Sequence, residues 1–168
     1  KLWLALDPDC ELVLAPPDYY LYARQAAVLG LRLRQVPLRE PDFSLDLEGL
    51  LAGSSARSVL ALSWPNNPTG RLHPRTELER LARDWPGLLV VDEAYVDFSG
   101  ASLQDSLTSH RRLVILRTFS KAFALAGVRL GYLLAHPDTA RELDKVMPPY
   151  PLGLWSQLAG LVALEQAA

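Results

Sequence analysis

The chain has 168 residues, 49% of them hydrophobic and 21% charged, with a formal net charge of −2. That length and apolar content suffice for one globular core, and the charge balance leaves no basic face on which a nucleic acid backbone would sit. No apolar run reaches the roughly 18 residues of a membrane span, and no signal-peptide pattern opens the chain, so a soluble cytoplasmic protein with no membrane partner is expected.

Taken in order, the chain starts abruptly at 1–6 (KLWLAL) in apolar, helix-compatible sequence. A first strand is predicted over 11–15, followed by a helix over 20–29 that Gly30 ends as a C-cap. A strand over 32–38 leads to a helix over 45–51, with Ser44 as its N-cap and Gly53 near its end. The strand over 58–64 precedes a helix that Pro74 and Arg75 open and that runs to Arg83. Strands follow over 88–91, 112–117 and 129–135, then helices over 138–146 and 156–166. Short continuous apolar runs alternating with helical patterns describe a mostly parallel sheet with helices on both faces, an α/β protein of three layers. The prolines fall between elements and no repeat or linker divides the chain, so 1–168 is expected to be one domain. Because the last helical pattern runs to the final residues, the chain is expected to be a segment of a longer protein.

In open α/β sheets the reactive groups gather beyond the carboxyl ends of the strands, and four predicted strands here end in chemically pointed sequence. The first leads to PPDYYLY, where Tyr19 is either a packing aromatic or a flat ring able to stack on a heterocycle. The third leads to PNNPTG at 65–70, which by itself is ordinary turn chemistry. The fourth leads to DEAY, placing the Asp92 carboxylate at the exit of a buried strand, where it needs a cation or a donor to stay ionised; a helix N-cap is the simpler role for it. As the magnesium-binding acid of a nucleotide hydrolase Asp92 would need a glycine-rich phosphate cradle, and neither GxxxxGK[ST] nor GxGxxG occurs.

The fifth strand leads to TFSK. A lone lysine is usually a solvated surface charge, but Lys121 follows the hydroxyls of Thr118 and Ser120 and precedes Arg129 by eight positions. Hydroxyls plus a guanidinium make a receptor for a phosphate dianion, and an amine beside it can form a Schiff base. That pairing is the chemistry of a pyridoxal phosphate enzyme. Cys10 is the one cysteine, so no intrachain disulfide can form, and His73, His110 and His136 lack metal-ligand spacing, so no metal is expected.

PNNPTG, VVDEAYVDF and LRTFSKAFALAGVRLGYLLA, in this order and spacing, resemble the class I/II aminotransferases of pyridoxal phosphate fold type I. Within that family the pattern is most similar to the histidinol-phosphate aminotransferases, and APPDYYLY and PPYPLGLWSQLA extend the resemblance over nearly the whole chain. The resemblance implies the large, cofactor-binding domain of that fold, without the upstream glycine-rich phosphate turn and without the downstream small domain that grips the substrate carboxylate. It gives Lys121 the Schiff base with pyridoxal 5'-phosphate and the proton shuttle to the substrate α-carbon. It pairs Asp92 with the pyridinium nitrogen, and Tyr95 and Asn67 with the phenolic oxygen. Thr118, Ser120 and Arg129 would hold the phosphate, and Tyr19 would stack on the ring. Trp64 stands where a small residue is common in the family, and Gly153 where a serine is frequent.

The implied activity is a ping-pong transfer of an amine from a donor such as histidinol phosphate to the 2-oxo acid 2-oxoglutarate, in histidine biosynthesis. The implied assembly is a homodimer whose site a second subunit completes, so the segment alone is expected to turn over little. A pyridoxal phosphate lyase of the threonine-phosphate decarboxylase kind, and a catalytically incomplete cofactor-binding module, are the alternatives.

Overall fold

The structure is a computed structural model that describes residues 5–166; most of the apolar opening at 1–6 therefore lies outside the described residues. Six strands, β1 (Glu11–Leu14), β2 (Arg32–Gln35), β3 (Ser58–Ser63), β4 (Leu88–Asp92), β5 (Leu113–Thr118) and β6 (Gly131–Ala135), form one sheet in the order β2-β1-β3-β4-β5-β6. The first five run parallel and β6 pairs antiparallel with β5. The helices are α1 (Leu21–Leu29), α2 (Leu47–Leu51), α3 (Arg75–Asp84), α4 (Val96–Ser99), α5 (Pro137–Asp144) and α6 (Leu154–Glu165).

Strand alternation divides the core into two layers. Val13, Leu60, Leu62, Val91 and Ile115 point to one face, where they pack with Leu50 of α2 and Leu78 and Leu81 of α3. Leu12, Leu14, Val59, Ala61, Val90 and Val114 point to the other, against Tyr22 and Ala26 of α1 and Leu143 of α5. Burial on both faces explains why these strands read as continuous apolar runs. This is the three-layer arrangement expected from the sequence.

The path of the chain makes a crevice between β1 and β3. From β1 the chain crosses by α1 to β2 on one side, then returns by α2 to β3 on the other side of β1. The loops leaving β1 and β3 therefore diverge, the arrangement in which open α/β sheets bind ligands.

Several boundaries differ from expectation for identifiable reasons. β2 stops at Gln35, although bonding to the chain beyond β1 continues past it: Val36 and Leu38 donate to the Leu14 and Pro16 carbonyls at 2.9 and 2.7 Å, and Pro37 between them falls on the open edge of the sheet, where no donor is needed. Asp46, not Ser44, caps α2, its carboxylate accepting from Gly49 N at 3.1 Å. Gly30 ends α1 with φ 68°, as the C-cap reading requires. The single turn α4 is too short to carry a helical period and was not anticipated. β6 begins at Gly131 rather than Arg129, because Arg129 itself adopts a left-handed conformation (φ 55°) after the 3₁₀ turn Ala126–Val128. α5 starts at Pro137, and the His136 ring accepts from Asp138 N at 3.2 Å.

Candidate active site

The parallel register brings the ends of β3, β4 and β5 level: Ser63 lies beside Asp92, and Asp92 beside Leu116. Side chains at these ends and in the loops beyond them share one space. Tyr19 comes from the loop after β1, Asn67 from the loop after β3, Asp92 and Tyr95 from the end of β4, and Thr118, Ser120 and Lys121 from the end of β5. Together with Arg129, just before β6, all of them line a single cavity of about 340 Å³. Every site residue expected from the sequence thus reaches the same cavity.

Asp92 is the last residue of β4, and burial raises its pKa above the ordinary carboxylate value. Two donors work against that rise. The Tyr22 hydroxyl on α1 donates to Asp92 Oδ2, and Ala94 N donates to Oδ1 at 2.9 Å. Asp92 therefore turns with the chain toward Ala94, and the N-cap of α4 is Tyr95. The helix-capping role weighed for Asp92 does not occur. Burial, ahead of the Asp92 charge, pushes the Tyr22 hydroxyl far up, so it remains a donor.

Lys121 Nζ lies 5.0 Å from the centroid of the Tyr95 ring, a cation–π distance. Thr118 Oγ1 accepts from Ser120 N at 3.1 Å, folding the segment into a turn that sets both hydroxyls and the lysine along one stretch of the wall. The left-handed backbone at Arg129 brings its side chain to the same wall, and its guanidinium donates to Ala126 O at 3.0 Å.

Four residues that sequence reasoning passed over support this cavity. Asp18, beside Tyr19, accepts from Ser63 N at 3.1 Å and from Ser63 Oγ. Ser63 itself lines the cavity, as does Arg117. Glu93, 1% exposed, takes up Arg117 Nη2 at 2.9 Å, Leu103 N at 2.8 Å and Ser102 Oγ at 2.9 Å. An acid directly after Asp92 and an arginine one before Thr118 are visible in the sequence, but their pairing across 24 positions is not. Trp64, although next to PNNPTG, does not line the cavity. Its side chain is fully buried in the layer with Leu78 and Leu81, and Nε1 donates to His73 O at 2.8 Å.

Among the described residues no group of three or more His, Cys, Asp or Glu side chains is placed to hold a metal ion, and no helix is long and apolar enough to cross a membrane.

The sequence matches the family model described as aminotransferase class I and II over residues 2–167. It is 40% identical over 160 residues to the histidinol-phosphate aminotransferase of Desulfitobacterium hafniense, covering 92% of this chain and 44% of that protein. Identity to histidinol-phosphate aminotransferase 1 of Carboxydothermus hydrogenoformans is 45% over 150 residues, covering 88% of this chain and 42% of the relative. The solved structure of histidinol-phosphate aminotransferase from Sinorhizobium meliloti in complex with pyridoxal-5'-phosphate superimposes with a TM-score of 0.87 at 32% identity, over 99% of this chain and 46% of that one. The chain spans less than half the length of each of these proteins.

Proposed function

This chain belongs to the class I and II aminotransferase family, and we propose that it is the cofactor-binding large domain of a pyridoxal-5'-phosphate-dependent aminotransferase acting on histidinol phosphate and 2-oxoglutarate. One observation carries the proposal: residues from the exits of four strands, together with Arg129 ahead of a fifth, converge on one cavity with an amine, a desolvated carboxylate, an aromatic ring and a set of hydroxyls with a guanidinium. The names of these relatives support the choice of histidinol phosphate.

The residues present fit pyridoxal phosphate. A carboxylate whose pKa is raised by burial gains most from a cation set beside it, and a protonated ring nitrogen is such a cation. Thr118, Ser120 and Arg129 supply the donors that a phosphate dianion requires. When bound, the cofactor supplies an electron-accepting ring conjugated to the α-carbon of the amino substrate. Lys121 would hold the cofactor through Nζ, and the same amine is the group placed to carry a proton to and from the substrate α-carbon. Asp92 would face the ring nitrogen and favour its protonated form, while Tyr22 and Ala94 N, by donating to Asp92, favour its ionised form and fix its direction. Tyr95 and Asn67 would donate to the phenolic oxygen, and Tyr19 would cover the ring face. The proposal includes a homodimer, as the family resemblance implies.

The test is made on the full-length protein with pyridoxal phosphate: glutamate should form from 2-oxoglutarate when histidinol phosphate is the donor. Release of carbon dioxide from threonine phosphate, without amine transfer from histidinol phosphate, would replace the proposal with a lyase.

A further inference from the structure

Side chains cross the crevice between β1 and β3 from both sides. Asp18, four residues beyond β1, sends its carboxylate across to the end of β3. Its Oδ2 accepts from Ser63 N at 3.1 Å, and its Oδ1 accepts from Ser63 Oγ and from Tyr19 N at 2.6 Å. The hydroxyl it grips is itself an acceptor: Ser63 Oγ takes Asn67 N at 2.9 Å and Asn66 Nδ2 at 3.4 Å. Asn66 Nδ2 closes the circuit by donating back to Pro17 O at 3.2 Å. The chain leaves the two strands in different directions, so no ladder joins the loops there, and this circuit takes the place of one.

We propose that Asp18 is a positioning residue of the cofactor site, which through Ser63 locks the loop carrying Tyr19 to the loop carrying Asn67 and so sets the gap into which the cofactor ring fits. The inference rests on the function proposed above. Asp18 does not line the cavity, whereas Tyr19, Ser63 and Asn67 do, so it acts through them. Its grip depends on charge, because an ionised carboxylate accepts these bonds more strongly than a neutral one. Burial is the main reason its pKa rises, to about 6. The titratable groups around it are Asp92 at the end of β4, whose charge also raises it, and the hydroxyl of Tyr22 on α1. The lock is therefore closed at neutral pH and loosens as the pH falls through about 6.

The experiment measures the dissociation constant of pyridoxal phosphate, by absorbance titration of the full-length apoprotein, for the unsubstituted protein, Asp18→Asn and Ser63→Ala. At pH 8 both substitutions should weaken binding about tenfold, the loss of a charge-assisted bond and its geometry. At pH 5 the Asp18→Asn ratio should shrink toward one, since the native side chain is then neutral as well. A ratio near one at pH 8, or the same ratio at both pH values, overturns the proposal. If Asp18→Asn does not fold, by circular dichroism, Ser63→Ala decides alone, and unchanged affinity there overturns it. Failure of the unsubstituted protein to take up the cofactor is a separate result, which refutes the cofactor site itself and the inference with it.

Discussion

The hydroxyl of Tyr22 on α1 donates to the carboxylate of Asp92 at the end of β4, joining residues 70 positions apart beneath the cavity. Burial raises the Asp92 pKa and this bond lowers it, so the phenol sets how far into the acid range Asp92 stays charged. Tyr22→Phe removes the stabilisation of the ionised form. The acidic limb of the pH profile of kcat/KM should move to higher pH, with the cofactor still bound. A limb that stays in place would detach Tyr22 from the function of Asp92.

Asp92→Ala should leave the fold intact and lower kcat by about 100-fold or more, because it removes the charge set against the ring nitrogen. Circular dichroism reports the fold, and steady-state amine transfer reports the rate. Activity close to that of the unsubstituted protein would remove Asp92 from the role proposed for it.

Glu93 and Arg117 form a pair in which the acid side chain has no exposure and the arginine side chain 18%. Breaking such a pair leaves a buried charge without its counter-ion, so Glu93→Ala should cost about 3–5 kcal/mol in denaturant unfolding. Ser102 and Leu103 N would lose their acceptor as well. A cost under about 1 kcal/mol, the range of surface pairs, would contradict the burial seen here.

Trp64 is a core residue, and the prediction separates it from the site it adjoins in sequence. Trp64→Ala should lower stability by about 3–5 kcal/mol through the cavity it opens. Cofactor affinity, measured where the variant is folded, should change less than it does for Asn67→Ala. The opposite order would mean that Trp64 shapes the site.

His73 is 2% exposed, and burial is the leading cause that lowers its pKa from 6.5 to about 4. Between those values the unfolded chain binds a proton that the folded chain refuses, so this contribution to stability is present above 6.5 and is lost as the pH falls toward about 4. The full loss is roughly 3 kcal/mol. Asp18 acts in the opposite sense, because its folded pKa is raised from 3.8 to about 6 and the folded chain holds the extra proton in that interval. His73→Gln should therefore flatten the acid decline of stability measured by urea unfolding between pH 7 and pH 4. An equally steep decline would assign it to other groups.

Much of this arrangement is legible in the sequence. Strands covered on both faces appear as apolar runs, and a parallel sheet collects its chemistry where those runs end, so Asp92 and Thr118 close their strands and Lys121 follows within three residues of one. Bonds between distant residues are not legible: Asp18 and Ser63 are 45 positions apart, and neither belongs to a local pattern. The left-handed backbone of Arg129 is hidden because positive φ is unusual for a residue with a side chain. The end of β2 is masked because Val36 and Leu38, on both sides of Pro37, continue its apolar pattern and still donate to the chain beyond β1.

The central claim is that Lys121 carries the cofactor. The direct measurement is borohydride reduction of the full-length protein loaded with pyridoxal phosphate, followed by peptide mapping. The account predicts a pyridoxyl group on Lys121 Nζ and none at that site in Lys121→Ala. A label on Lys145 or Lys1 with Lys121 unmodified, or no label at all in a folded and loaded protein, would contradict it.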